Sequence, residues 1–186
     1  MRSLRLTPRT ASGARSCVLV IGRHVDAMQA TVHINAPATL VWEILAAVDL
    51  YCAWAPFTTA MAMTGSLEPG QSIVESVELA PGQRHRAQLV VVTHVSPPSS
   101  ATGGVGELRW DSRQWGSAAV LHSVRTQTVT PDGSGGAGGC TYASTEVMRG
   151  ALRPLVLCLY GGTVRRGFEA FAKALKERAE QHVGVP

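Results

Sequence analysis

The sequence predicts an α+β fold in which a curved, seven-stranded antiparallel sheet wraps one long C-terminal helix, with two short helices beside it. Three observations carry this. Residues 32–57, VHINAPATLVWEILAAVDLYCAWAPF, read as a strand, a helix opened at Ala36-Pro37 and a second helical turn ending at Trp54-Ala-Pro56-Phe57. A long run of strand-like sequence follows, and Leu152 to Gln181 then closes the chain as a helix. That order describes a container.

Gln29 to Asn35 sets Val32 and Ile34 against Thr31 and His33, the period-2 pattern of a half-buried strand. Pro37 opens a helix where its missing N–H costs nothing, and Val41, Ile44, Leu45 and Val48 make a buried stripe along it. Asp49 is placed to cap the second short helix, Leu50 to Trp54, and Pro56 ends it. Strands are then predicted at Thr59–Thr64, Ser72–Leu79, Arg84–Val95, Val105–Ser112, Ala118–Val129 and Thr141–Met148. Glu68-Pro-Gly, Ala80-Pro-Gly, Ser96-Pro-Pro and Asp132 to Gly139 separate them with residues that supply turn geometry. Short connections between consecutive strands predict an antiparallel meander. Its drier sides are predicted to carry Ala87, Leu89, Val91 and Val95, then Leu108 with Trp110, then Val120 with Val124. In the last helix Val164, Phe168, Phe171 and Leu175 recur at helical spacing to cover them. Gly161-Gly162 interrupts that helix and predicts a bend or a close backbone approach.

The chain has 186 residues, 45% hydrophobic and 16% charged, enough for one core without disulfides or metal. No apolar run reaches the roughly 18 residues that would span a bilayer, so a soluble protein limited to transient membrane contact is expected. The net charge of +4 misleads until it is divided along the chain. Arg2, Arg5, Arg9, Arg15 and Arg23 stand before residue 26 without an acid, leaving 12 basic and 13 acidic groups in the rest. A body so balanced lacks the positive field that phosphate binding requires, which excludes nucleic acid as a partner.

Cys17, Cys52, Cys140 and Cys158 show no C-x-x-C spacing, and the six histidines show no metal-binding spacing. Buried free thiols in a reducing, cytoplasmic setting are the expectation, with no metal and no cofactor. Residues 1–27 form a separate arm before a domain at 28–182. Arg-rich and acid-poor, the arm has the composition of a transit peptide to mitochondrion or plastid. It fits equally a disordered extension, or sequence upstream of a start at Met28.

Three segments carry a family resemblance: I-x-A-P-x-x-x-V-W-E-I-L from Ile34 to Leu45, D-x-Y-x-x-W-x-P-F from Asp49 to Phe57, and G-F-E-x-F-x-x-A-L-K-x-R-A-E from Gly167 to Glu180. In this order they resemble the SRPBCC superfamily of START-type lipid-transfer, Bet v 1-like and polyketide cyclase/dehydrase-like proteins. The resemblance covers about residues 28–181. It implies a helix-grip fold with a deep, largely apolar cavity between sheet and helix, where members hold lipids, polyketides, quinones or other hydrophobic molecules. It implies no set of catalytic residues, so function has to be argued from the pocket.

Within that picture Trp54 and Phe57 fall near one mouth of the cavity, while Trp110, Phe168 and Phe171 line its wall with area suited to a flat ligand. Leu89 and Val124 join them from the drier strand faces, and ordinary core packing is the competing role for each. Glu75 shares parity with Ile73, Val77 and Leu79 and is a candidate inward polar handle, or else a partner of Arg86. Tyr142, Ser144 and Glu146 share parity, as do Thr126 and Thr128, so their hydroxyls are candidates to orient a polar ligand end. If the Asp132 to Gly139 turn centres near Gly135, His122 faces Met148 and Val124 faces Glu146. His122 and Glu146 then become diagonal neighbours on one face, a candidate general-base pair for cyclisation or dehydration. The competing reading is a structural pair, or two solvated side chains. Gly133 to Gly138 satisfies G-x-G-x-x-G but lies between two strands, where dinucleotide binding would need a following helix.

Binding or transport of a small hydrophobic ligand, a lipid or an aromatic polyketide-like molecule, is thus the leading expectation. A cyclase or dehydratase using His122 and Glu146 is the first alternative, and a mitochondrial quinone-binding protein the second. The sequence fixes no oligomeric state.

Overall fold

The computed structural model describes residues 27–80, 83–84, 88–99, 104–114, 117–133 and 138–184. The N-terminal arm predicted at 1–27 lies outside them except for its last residue, as do Cys17, Arg86 and the centre of the glycine-rich loop.

The strands are β1 (Ala27–Ile34), β2 (Thr58–Met63), β3 (Ser72–Ala80), β4 (Gln83–Arg84), β5 (Gln88–Ser96), β6 (Gly106–Gln114), β7 (Leu121–Pro131) and β8 (Cys140–Arg149). Seven follow one antiparallel path, β1-β8-β7-β6-β5-β3-β2, and the two-residue β4 pairs with β3 off that path. The sheet curls into a half-barrel around a long helix, as the sequence predicts. Between β1 and β2 lie α1 (Ala38–Ala46) and a 3-10 helix, Val48–Ala53; α2 (Arg153–Val183) ends the fold.

Pro37 serves as the N-cap of α1, with extended backbone, and its carbonyl accepts the Val41 amide. Ala38, Val41, Trp42, Ile44 and Leu45 bury one stripe of α1. The following turn starts two residues before the expected Leu50 and is too tight for an α-helix. Asp49 makes no capping bond there; Ala47 stands at the N-cap. The buried Tyr51 instead fastens this turn by donating its hydroxyl to the Leu45 carbonyl.

Strand parity departs from expectation in β5. Val90 and Val92 face the core, while Leu89 is 56% exposed on the opposite side. A register shift between Val92 and His94 then returns Val95 to the core side, so no single alternation runs through this strand. In β7 the buried parity belongs to Leu121, Ser123, Gln127 and Val129, which leaves Val124 on the outer face. Two glycines answer steric demands. A Cβ on Gly106 would meet Pro98 Cδ at 2.7 Å and Trp42 Cε3 at 3.0 Å, and Gly150 has φ +110 with Val120 O only 2.6 Å from a Cβ position.

α2 is one helix through Gly161-Gly162. A Cβ at either glycine would find nothing closer than 3.8 Å, and then only side chains of the same helix, so among the described residues no neighbouring element presses on them. The close approach lies at Gly167, where the Phe57 ring comes within 3.6 Å of a Cβ position. Phe168, Phe171, Ala172, Leu175 and Ala179 are the buried residues of α2, and Val164 packs beside them partly exposed. Burying each large apolar side chain stabilises by about 1.5–3 kcal/mol. Free thiols are less buried than predicted: Cys140 is enclosed, whereas Cys52 and Cys158 are exposed.

Candidate functional site on the inner face of the sheet

The register sets inward side chains into rows across the sheet. Met28, Glu146, Arg125, Trp110 and Val92 make one row, and Ala30, Ser144, Gln127 and Leu108 the next. A third carries Met148, Ser123, Ser112 and Val90. Polar groups thus gather at the centre of a face whose flanks are apolar. Several inward residues keep accessible surface, among them Met28, Arg125, Glu146 and Met63, whereas Tyr142, Gln127 and Leu108 are fully enclosed.

Arg125 is held by aromatic faces. Its guanidinium carbon lies 4.5 Å from the Phe168 ring centre, 5.0 Å from Phe171 and 5.6 Å from Trp110, distances at which a cation is attracted to the ring faces. Nε donates to Ser144 Oγ at 3.2 Å, and the Arg125 side chain also hydrogen-bonds the Tyr142 hydroxyl, which lowers the latter against the effect of burial. Phe171 is also the hub of an aromatic cluster, with its ring centre 5.2 Å from Tyr51, 5.0 Å from Trp54 and 6.2 Å from Tyr142.

Two carboxyls share this interior. Burial pushes the Glu146 carboxyl above its usual range, opposed by the Ser123 hydrogen bond and the Arg125 charge. Glu146 itself keeps part of its surface accessible. Glu75, 7% exposed, accepts the Gln88 amide at 3.1 Å. Burial also raises the Tyr142 and Tyr51 hydroxyls, so both act as neutral donors; Tyr142 donates to Gln127 Oε1 at 2.7 Å.

The structure therefore brings Trp54, Trp110, Phe168, Phe171, Glu75, Tyr142, Ser144 and Glu146 to the inner side, and sets Phe57 against Gly167 of α2. Leu89, Val124, Thr126 and Thr128 go to the outer face. The His122 and Glu146 pairing is corrected. β7 and β8 pair His122 with Arg149 and Arg125 with Glu146, one residue from the predicted register, so His122 and Glu146 point to opposite faces. His122 contacts Asp111 at 3.2 Å on the outer side. Arg125, Ser123 and Gln127 were not singled out in the sequence. Their inward parity becomes visible only when the β7 register is known.

Among the described residues no three His, Cys, Asp or Glu side chains are grouped to hold a metal ion, and no helix is long and apolar enough to cross a membrane. Residues 26–180 match the family described as polyketide cyclase / dehydrase and lipid transport. The fold is similar to that of the Zhui aromatase/cyclase from Streptomyces sp. R1128, with 20% identity over 84% of this chain and 94% of that one and a TM-score of 0.65. A START superfamily protein from Mycobacterium smegmatis is similar at 19% identity, 84% and 99% coverage and a TM-score of 0.60. A norcoclaurine synthase from Thalictrum is similar at 13% identity, 85% and 96% coverage and a TM-score of 0.62. Identities this low establish a shared fold and leave activity open. No curated protein sequence matches the chain.

Proposed function

The chain belongs to the polyketide cyclase/dehydrase and lipid transport family, and from that premise we propose that it binds or carries a small hydrophobic ligand, lipid or aromatic, between the curled sheet and α2. One observation supports this above the others: the inner wall is aromatic and apolar, yet it keeps accessible surface around the enclosed polar pair Arg125 and Glu146. A domain packed only for stability fills such space. Burial of ligand carbon would stabilise the complex at roughly 25 cal/mol per Å² before the costs of association. The ligand-binding unit is the domain at 28–182, with the preceding arm outside it. Catalysis by His122 and Glu146 has no place in this reading, because the register separates them.

Titration with the neutral hydrophobic dye Nile red tests the proposal. Saturable binding is expected, weakened about tenfold or more in Val164→Trp, whose added ring would fill the space under α2 while the circular dichroism spectrum stays unchanged. Absence of saturable binding, or a folded Val164→Trp that binds as well as the parent, would contradict it.

A further inference from the structure

The solvent face of α2 changes character at Gly161-Gly162. Beyond it the helix obeys the rule for a surface helix: Phe168, Phe171, Ala172, Leu175 and Ala179 are buried, while Glu169, Lys173 and Glu177 stand in solvent. Between Arg153 and Gly167 no residue is buried, although Leu155, Val156, Leu157, Leu159 and Val164 fall there. Leu155 is 55% exposed and Leu159 61%, with Cys158 exposed beside them. Successive helix residues stand roughly 100° apart, so Leu155, Val156, Leu157 and Cys158 point in four directions around the axis. A helix segment that is apolar all round is normally buried, and among the described residues none encloses this one. Its flanks are basic. Arg149, Arg153, Arg165 and Arg166 border it, and no acid occurs from Val147 to Phe168. The first is Glu169, which meets Arg165 at 3.9 Å in an exposed pair of little strength.

We propose that the first half of α2 docks on the surface of an anionic lipid bilayer, with Leu155 and Leu159 entering the acyl boundary and the flanking arginines at the phosphates. Charge complementarity selects this occupant. The arm ahead of β1 joins the fold near the start of α2, since Ala27 pairs with Val147, but Arg2, Arg5, Arg9, Arg15 and Arg23 precede its first acid, Asp26. Laid on α2, that arm would set arginine beside arginine. A second copy of the chain meets the same repulsion, because both ends of the apolar segment are basic and either orientation opposes like charges. A groove in an acidic protein would take one stripe of a helix at i, i+3, i+4 and i+7, whereas here the apolar side chains surround the axis. An anionic bilayer accepts both features, carbon around the helix and positive charge at its ends, and the arm adds to the attraction instead of opposing it. The segment from Leu152 to Val164 is only about 20 Å long as a helix, short of the ~30 Å hydrocarbon core, so it lies in the interface and does not span.

Sedimentation of the full chain with vesicles of phosphatidylcholine and phosphatidylglycerol in equal parts, and with vesicles of phosphatidylcholine alone, tests this. The mixed vesicles are expected to bind the chain about tenfold or more tightly than the neutral ones. Leu155→Gln combined with Leu159→Gln is expected to weaken that binding about tenfold or more while the circular dichroism spectrum stays unchanged. In the unaltered chain, alkylation of the exposed Cys158 by a water-soluble maleimide is expected to slow several-fold when the mixed vesicles are added, which decides the question even where the double variant fails to fold. Absence of binding, or equal binding to both kinds of vesicle, would overturn the proposal. So would a double variant that binds as well as the parent, or a Cys158 that reacts as fast on vesicles as off them; either would assign the binding to charge elsewhere on the chain. A dimer that the double substitution dissociates, with no vesicle binding, would assign this face to a second copy and overturn the proposal as well. The container reading stands or falls separately, because Nile red binding is measured without lipid.

Discussion

Tyr142 shows at the residue scale how the interior was assembled from parity. It alternates with Ser144 and Glu146 on β8, and that alternation alone marks the three as one face. What the hydroxyl does depends on its neighbour: it donates to Gln127 Oε1, and Gln127 is fully enclosed. Tyr142→Phe would leave a buried acceptor unmade, so it is expected to destabilise the fold by about 1–3 kcal/mol, read as a lower urea midpoint with an unchanged slope. A loss below a few tenths would mean that water replaces the bond. Arg125 was not legible in the same way. A lone arginine in a strand reads as a solvated side chain, and only the observed pairing with Glu146 and Trp110 turns it inward beneath Phe168 and Phe171. Glu75 was legible because it shares the parity of Ile73 and Val77 on its own strand.

At the scale of elements, α2 is fastened to the end of β1 by a compact polar latch. Lys176 Nζ donates to the His33 carbonyl and to Glu180 Oε1, both at 2.7 Å, and the same Glu180 oxygen accepts the Asn35 backbone amide at 2.8 Å and side-chain amide at 2.9 Å. Burial alone would raise the Glu180 carboxyl, but the hydrogen bonds from Lys176 and Asn35 outweigh it and hold the group below its ordinary value. A carboxyl lowered by folding adds stability above its unfolded pKa, and that contribution is lost as pH falls through the folded value. Glu180→Gln is accordingly expected to cost about 1 kcal/mol near neutral pH, a figure kept small because the site is partly exposed, and almost nothing in acid where the parent is itself protonated. Denaturation midpoints of both proteins across pH would check it; a gap that widens in acid would contradict it. The helix itself was legible from the spacing of Phe168, Phe171 and Leu175. Its continuity through Gly161-Gly162 was not, because packing along the rest of the helix offsets a local propensity cost of roughly 1 kcal/mol per glycine. Nor was the β7–β8 register. The connection at 132–139 is long enough to allow neighbouring alignments, and a slip of one residue exchanges every face, which is how His122 was drawn beside Glu146.

For the whole molecule, element order and hydrophobic period were sufficient to read the container, since a curled meander with one dry face and a single long amphipathic helix leave few ways to bury both. The ligand was not legible. It depends on which side chains seven strands turn inward, and the row bearing Glu146, Arg125 and Trp110 is set by the strand register. The central claim, that this interior holds a small hydrophobic molecule, is tested most directly by native mass spectrometry of the freshly purified chain, followed by denaturation and identification of what is released. The account predicts a bound hydrophobic molecule in stoichiometric amount, or its uptake from a panel of lipids and aromatic compounds. A chain that purifies empty and takes up none of them would contradict it.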